Sequence, residues 1–264
     1  MTTLEREDIW LFQNNGFIVA PGKLPENLLE LVDAETDRQV AAQMEPISWA
    51  YDIGDPEKRI VNRLSKLLQR DRVYMEAATH PVVLDALEGI LGSNIELLTN
   101  KHNMEMIKPG NAPPVEWHRG EPRSEPLVVT MVIAFDDATE AKGCLLVIPG
   151  SHMNPFEANP HSIGDNQELL NINFVESDLY RRSVPLPLKR GQVLLFNDAI
   201  MHGSDANYTR YDRRSMTLAY SAHVRHNVLK DDPEKILVRG ERTYAGHVLP
   251  GPACQWDISS FKSA

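Results

Sequence analysis

Three short apolar segments decide the fold: LVVTMVIAF at residues 127–135, LLVI at 145–148 and VLLF at 193–196. The segments Ile95–Ile107 and Met216–Val224 have the same texture and lie on either side of them. Short runs rich in β-branched residues, separated by turn signals, are typical of strands. We therefore expect a mainly β protein with flanking helices, built as an antiparallel double-sheet jelly roll whose helices pack outside one sheet.

The first third of the chain has a helical pattern. Helices are predicted over Leu4–Asn14, Leu24–Gln43, Lys58–Ala78 and Pro81–Leu91, with a strand at Gly16–Ala20 and Gly92 as a C-cap. No repeat or linker divides the sequence. We expect one domain over residues 1–264, with a helical lead-in at 1–92, a β core at about 95–224 and a polar tail at 228–264 that is either a lid or a surface wrap.

Composition restricts the class of partner. Hydrophobic residues make up 42% of the chain, charged residues 24%, and the formal net charge is −10, which is a globular balance that disfavours nucleic acid polymers and anionic membranes. The start of the sequence lacks the pattern of a signal peptide, and no apolar run approaches the ~18 residues of a membrane span, so we expect a cytoplasmic protein. Cys144 and Cys254 are too few for a disulfide scaffold, and Cys144 lies in an apolar run that indicates core.

Two histidines have the setting of metal ligands. His118 follows Pro113-Pro114 in the sequence WHRG, and His202 follows the apolar VLLF segment in the sequence MHGS. Non-haem iron sites commonly use two imidazoles and one carboxylate, with the remaining positions open. The carboxylate often stands two residues after the first histidine, where this chain has Gly120. Each histidine alone is weak evidence, because a lone histidine beside a strand is more often structural or exposed.

Arginines follow the second histidine. Arg213 and Arg214 precede the strand at Met216–Tyr220. An arginine here can form a bidentate charge-assisted pair with a dicarboxylate such as 2-oxoglutarate. The alternative is an ordinary turn arginine.

Several motifs in one order resemble the phytanoyl-CoA dioxygenase family. They are VIAFDDA at 132–138, GCLLVIPGSH at 143–152, GQVLLF at 191–196, HGS at 202–204, and Arg213. The resemblance spans Leu4–Val224 and implies a cupin-like double-stranded β-helix core, Fe(II) held by His118 and His202, O2, and 2-oxoglutarate anchored by Arg213. It also places Ser204 and Met104 in the 2-oxoglutarate pocket. His152, within the Pro-Gly-Ser-His turn, has a structural role by the same likeness.

Gly120 departs from the family pattern. The arrangement His118-Arg119-Gly120 resembles that of the 2-oxoglutarate-dependent halogenases, which carry Gly or Ala in place of the carboxylate and bind chloride to iron there. That likeness implies chlorination of an unactivated C–H bond, with succinate and CO2 as co-products. Arg119 could favour the entry of a halide electrostatically, but we expect it to be a solvent-facing charge.

Other outcomes remain open for the same residues. Glu121 in the third ligand position restores a hydroxylase, and water in that position gives a two-histidine hydroxylase or an oxidative-rearrangement enzyme. A non-catalytic small-molecule-binding protein is the remaining alternative, and it is disfavoured because His118, His202 and Arg213 are all retained.

The substrate is expected to be a free small molecule. The likeness is nearest to nucleotide halogenases of nucleoside-antibiotic biosynthesis, which act on deoxyadenosine monophosphate. Cations for a phosphate are Lys101, Arg123, Arg181 and Arg182, with Arg59 and Arg63 as further candidates, although most of these are expected to be solvated surface charges. Aromatic side chains for adenine are Tyr51, Trp49 and Phe174, for each of which simple packing is the stronger expectation. The sequence leaves open chloride against bromide, the carbon attacked, the stereochemistry and the oligomeric state.

Overall fold

The computed structural model describes residues 3–52, 55–120, 127–153, 180–222 and 234–241. Its helices are α1 (Arg6–Asn15), α2 (Glu26–Ala41), α3 (Arg72–Ala78) and α4 (Pro81–Leu91). Its strands are β1 (Phe17–Val19), β2 (Ile47–Asp52), β3 (Asp55–Ser65), β4 (Ile95–Leu98), β5 (Met104–Lys108), β6 (Val115–His118), β7 (Val128–Ala134), β8 (Leu145–Val147), β9 (Val184–Leu186), β10 (Val193–Asn197), β11 (His202–Ser204), β12 (Arg213–Ala222) and β13 (Lys235–Arg239).

The strands form two antiparallel sheets. The larger sheet has nine strands in the order β1-β10-β7-β12-β5-β3-β2, with β4 paired to both β12 and β13. The smaller sheet has four strands in the order β6-β11-β8-β9. Two antiparallel sheets with helices beside one of them confirm the predicted jelly roll.

Side-chain alternation divides the larger sheet into two faces. On β12, Met216, Leu218 and Tyr220 are buried in the main core, together with α2 residues such as Leu29 and Val32. The opposite face of this sheet packs against the smaller sheet through a second cluster: Ala134, Leu194 and Phe196 meet Cys144 and Val147. Cys144 is therefore a core residue, as its apolar run predicts. Side chains between the two sheets are the ones that can form an enclosed site.

Glycines in the sequence mark the ends of two helices. The helix α1 ends at Gly16, whose φ of 86° is left-handed and whose N–H bonds to the Phe12 carbonyl. A glycine adopts this conformation without the steric cost of a side chain. The helix α4 begins at Pro81 and has Gly92 as its C-cap, as predicted.

The predicted helix over Lys58–Ala78 is wrong in its first half. Residues up to Ser65 belong to β3, which forms a hairpin with β2; Leu67–Gln69 is a 3-10 turn, and the α-helix covers Arg72–Ala78. The register with β2 shifts between the pairs Ser48↔Arg63 and Trp49↔Val61, so Asn62 is an extra residue. This bulge separates the buried Val61 and Leu64 by three positions, a spacing that imitates a helix face. The helical lead-in at 1–92 thus contains a β-hairpin.

The predicted strand over Ile95–Ile107 is two strands. The strands β4 and β5 are separated by a turn in which His102 and Asn103 have positive φ angles of 62° and 44°. In the region of the predicted tail, β13 pairs with β4. The rest of the tail, including Cys254, lies outside the described residues. Among the helices that the structure describes, none has both the length and the apolar character needed to cross a bilayer.

Candidate active site

The two predicted ligand histidines lie side by side in the smaller sheet. His118 ends β6 and His202 begins β11, and the two residues are direct Cα partners across the strand pair. Their ring centroids are 4.2 Å apart. The Phe196 ring, from the larger sheet, lies 4.9 Å from the His202 ring and packs against it. The fold therefore brings together the two imidazoles that the sequence singles out.

Backbone carbonyls fix the protonation of both rings. His118 Nδ1 is 2.8 Å from the Glu116 carbonyl oxygen, and His202 Nδ1 is 2.9 Å from that of Ile200. A carbonyl only accepts, so each Nδ1 carries the proton and each neutral ring has its lone pair on Nε2. Burial, together with the neighbouring His118, lowers the pKa of His202 to about 3. Two imidazoles whose Nδ1 atoms are both held by backbone carbonyls, leaving Nε2 for a metal, fit a metal site.

A third protein ligand is absent from this pair over the parts of the chain that the structure describes. No further His, Cys, Asp or Glu there joins the histidines in a group able to hold a metal. Glu121, the candidate replacement, lies outside the described residues. Gly120 follows β6, and its N–H donates to the Asp198 carbonyl oxygen over 2.7 Å.

Asp198 occupies the space that a side chain on residue 120 needs. A Cβ atom on Gly120 would lie 1.7 Å from Asp198 Oδ2 and 2.3 Å from Asp198 Cγ. Real Cβ atoms do not approach other atoms this closely, so glycine alone fits here while Asp198 stays in place. Sequence reasoning missed Asp198, which lies in the connection between β10 and β11.

Three neighbours hold the buried Asp198 carboxylate. Lys101 Nζ lies 2.5 Å from Oδ2, Thr130 Oγ1 donates to Oδ1 over 3.1 Å, and His102 Nε2 lies 3.5 Å from Oδ1. Burial opposes ionisation of this carboxyl, but its contacts with His102 and Lys101 outweigh burial and lower its pKa to about 2. Lys101, one of the candidate cations for a phosphate, is paired with Asp198.

A second group of polar residues forms a cationic pocket in the larger sheet. Arg213 is the first residue of β12 and the Cα partner of Lys108 on β5, so both side chains share one face. The Lys108 ammonium is buried and donates to Ser204 Oγ over 2.8 Å and to the Asp205 carbonyl oxygen. Burial and the neighbouring Arg213 lower the pKa of Lys108 to about 8. Sequence reasoning missed Lys108, although the alternation of Met104, Met106 and Lys108 on one face was a usable signal.

The cationic pocket has the charge of an anion-binding site. Among the described residues, neither Arg213 nor Lys108 forms a salt bridge, and the buried Nε of Arg213 has no hydrogen-bond acceptor. Burying a cation without a partner is costly, so two adjacent cations favour an anion between them. Ser204 borders the pocket through its bond to Lys108, and Met104 lies on the same face of β5. Of the residues predicted for 2-oxoglutarate, Arg213 and Ser204 therefore border the cationic pocket, and Met104 lies further along the same face of β5.

A further arginine lies on the same face of the larger sheet. Arg63 on β3 is the Cα partner of Met106, one side-chain position along from Lys108. Its guanidinium donates to Ser48 Oγ over 2.7 Å, while its buried Nε has no hydrogen-bond acceptor among the described residues. This places one of the phosphate candidates on the same face of the larger sheet as the cationic pocket.

The remaining candidates lie elsewhere. Arg181 and Arg182 are exposed on the turn before β9, and Arg59 is exposed on β3. Trp49 packs against the main hydrophobic core, which agrees with a packing role. Arg123, Phe174 and the side chain of Tyr51 lie outside the residues that the structure describes.

Two other side chains near the motifs have clear positions. Arg119 is 3% exposed, so the expectation of a solvent-facing charge is wrong. By alternation, Arg119 lies on the opposite side of the strand from His118, next to the buried Trp117. His152 Nε2 lies 3.0 Å from the Gln13 carbonyl oxygen at the end of α1, in agreement with a structural role.

Known proteins resemble this chain over most of its length. The sequence model of the phytanoyl-CoA dioxygenase (PhyH) family matches residues 12–215. Peroxisomal phytanoyl-CoA dioxygenase of Rattus norvegicus is 24% identical over 240 residues, which cover 83% of this chain and 69% of that protein. A probable alpha-ketoglutarate-dependent hypophosphite dioxygenase of Stutzerimonas stutzeri is 26% identical over 200 residues, covering 69% of this chain and 67% of that protein.

Solved structures share the same fold. The alpha-ketoglutarate-dependent epimerase SnoN of nogalamycin biosynthesis superposes with a TM-score of 0.65 at 18% identity, covering 82% of each chain. EctD from S. alaskensis with bound Fe superposes with a TM-score of 0.65 at 21% identity, covering 83% of this chain and 77% of that one. Because the family model matches residues 12–215, which is more than half of the chain, the chain belongs to the phytanoyl-CoA dioxygenase family of Fe(II)- and 2-oxoglutarate-dependent oxygenases.

Proposed function

We propose that this protein is a 2-oxoglutarate-dependent halogenase that replaces hydrogen by chlorine at an unactivated carbon of a free small molecule. The observation that carries the proposal is Gly120, which brings no side chain to the histidine pair. A site with two imidazoles and no carboxylate has an additional open position and a deficit of negative charge. Chloride supplies a negative charge directly at that metal position and needs no room for a side chain at residue 120.

Each residue of the site has a role in this scheme. His118 and His202 hold Fe(II) through Nε2, because their Nδ1 protons are engaged by backbone carbonyls. Arg213 and Lys108 hold the distal carboxylate of 2-oxoglutarate, with Ser204 beside them. When bound, iron and 2-oxoglutarate supply an O2-dependent oxidation with succinate and CO2 as co-products. The protein's contribution is to place the target carbon where chlorine transfer is favoured over hydroxylation.

The charge balance around Gly120 supports a halide. The nearby Asp198 carboxylate alone would repel an anion, but its contact with Lys101 Nζ at 2.5 Å compensates its charge. Opposite charges at this separation largely cancel at a distance, so the pair does not oppose a second anion strongly. Chloride is the proposed occupant, and the same charge balance admits bromide.

A nucleotide such as deoxyadenosine monophosphate is the proposed substrate. Arg63 supports it, because a partly buried guanidinium on the same face as the cationic pocket, with no carboxylate bound to it in the described residues, suits a phosphate. Arg63→Ala is expected to raise KM for a nucleotide substrate with a smaller change for its uncharged nucleoside. Equal changes in KM for the nucleotide and the nucleoside would show that Arg63 does not bind the phosphate.

The alternative is a hydroxylase or an oxidative-rearrangement enzyme, with water or Glu121 as the third ligand. It has support in the structural relatives, since SnoN is named as an epimerase and SnoK as a carbocyclase. Anaerobic reconstitution with Fe(II) and 2-oxoglutarate, followed by O2, chloride and a panel of nucleotides, amino acids and alkaloids, separates the two by mass spectrometry. A product with the mass and isotope pattern of chlorine supports the halogenase. A product that gains only oxygen, or loses only hydrogen, whatever the chloride concentration, contradicts it.

A further inference from the structure

Residue 120 has no carboxylate of its own, but the carboxylate of Asp198 lies directly beside it. The three atoms nearest to a Cβ on Gly120 are Oδ2, Cγ and Oδ1 of Asp198, at 1.7, 2.3 and 2.7 Å. All three belong to one carboxylate group. The volume beside Gly120 is therefore filled by an acidic group that enters from another part of the chain.

That carboxylate is held firmly where it is. Lys101 and His102 approach it from the turn between β4 and β5, and Thr130 approaches it from β7. The Asp198 backbone is fixed as well, because its N–H donates to the Val128 carbonyl and its own carbonyl accepts from Gly120 N–H. A side chain at position 120 and the Asp198 carboxylate thus exclude each other.

We propose that Asp198 is a positioning residue that keeps position 120 closed to a protein ligand and so holds the metal site in its two-histidine state. An aspartate at 120 reaches the metal only when the Asp198 carboxylate is removed. Specificity for halide over a protein carboxylate is then set by the Gly120 and Asp198 pair, and not by Gly120 alone. The role of halide in this statement rests on the proposed function, whereas the exclusion of the side chain does not.

Removing the carboxylate is structurally feasible. Truncation of Asp198 to alanine deletes all three atoms that would collide with a Cβ at position 120. The Lys101 side chain, 31% exposed, can then turn towards water. The double variant Gly120→Asp/Asp198→Ala moves one carboxylate from position 198 to position 120 without changing the net charge.

The test measures metal binding without turnover. Co(II), a spectroscopic substitute for Fe(II), is titrated into wild type, Asp198→Ala, Gly120→Asp/Asp198→Ala and the matched control Gly120→Asp/Asp198→Asn. The control also removes the charge of residue 198 but keeps its volume. We expect Gly120→Asp/Asp198→Ala to bind Co(II) at least about tenfold more tightly than Asp198→Ala, and the asparagine control to show no such gain. Thermal unfolding monitors each variant, and recovery of a folded state in the alanine double variant alone also supports the proposal.

Two results overturn the inference. One is Co(II) binding by Gly120→Asp/Asp198→Ala that is no tighter than that of Asp198→Ala. The other is an equal gain in the asparagine control, which would show that the Asp198 volume does not exclude a ligand. Chloride is added to each Co(II) complex as a separate readout. A wild-type spectrum that chloride does not change counts against the halogenase proposal, while the comparison of Co(II) affinities still decides the role of Asp198.

Discussion

Replacement of Glu105 by glutamine should change how the stability of this protein depends on pH. Glu105 lies on β5 and is fully buried on the face of the larger sheet opposite the cationic pocket. Its Oε2 accepts a hydrogen bond from Thr36 Oγ1 over 2.7 Å, and Thr36 Oγ1 lies 3.0 Å from the Tyr74 hydroxyl. Burial raises the pKa of Glu105 from 4.5 to about 7.

The sign follows from where the proton resides. Between pH 4.5 and about 7 the folded protein keeps the Glu105 proton, whereas the unfolded chain has lost it. This contribution to stability is fully present below the unfolded pKa and is lost as the pH rises through the folded pKa. At about 1.4 kcal/mol per pKa unit, the loss amounts to about 3 kcal/mol.

Glutamine cannot ionise, so Glu105→Gln removes this loss. Its amide nitrogen takes the place of Oε1, which has no hydrogen-bond partner among the described residues, and a buried unpaired N–H costs about 1–3 kcal/mol at every pH. We therefore expect the variant to be less stable than wild type near pH 4.5 and to gain about 3 kcal/mol relative to wild type by about pH 8. Urea unfolding at several pH values measures the difference, and Glu76→Gln, at a half-exposed carboxylate on α3, is the control. Parallel stability curves for Glu105→Gln and wild type would refute the reasoning.

Three further predictions concern the site. His202→Ala and Arg213→Ala should each abolish turnover while the fold is retained by circular dichroism, and a fully active His202→Ala enzyme would contradict the metal assignment. Lys108→Met should raise the KM for 2-oxoglutarate about 10- to 100-fold through loss of a charge-assisted hydrogen bond, with a smaller effect on kcat and partial recovery in Lys108→Arg. Unchanged KM in Lys108→Met would exclude Lys108 from the pocket. Gly120→Ala should destabilise the fold by about 1–3 kcal/mol in urea unfolding through its collision with Asp198, and an equal loss in the Asp198→Ala background would disprove that cause.

The predicted histidines that the structure brings together have chemistry that a local pattern reveals. His118 and His202 each follow a recognisable strand or turn, and the family motifs fix their order along the chain. The core strands are also predictable, because apolar alternation and turn residues are local features. The direct pairing of the two histidines across β6 and β11 is consistent with that prediction.

The missed residues depend on contacts that sequence spacing does not show. Asp198 looks like an ordinary turn residue in the sequence NDAIMH, and its partners Lys101, His102 and Thr130 belong to distant segments. The mistaken helix over Lys58–Ser65 has a different cause, because the bulge at Asn62 changes the spacing of buried residues from that of a strand to that of a helix. Arg119 was misjudged because its burial depends on tertiary packing around the end of β6.

The position of β6 in its sheet means that a bound metal would also affect how easily this strand opens. Within the described residues, this strand stands at the edge of the order β6-β11-β8-β9 and pairs with a strand on one side, and Val115 at its start is 42% exposed. Edge strands open locally at a lower free energy than central ones. An ion held by both histidines would cross-link the edge strand to β11 and suppress this opening. Amide exchange at Trp117 and His118 would then report metal occupancy, while amides of β10, within the larger sheet, would exchange at the same rate with or without metal.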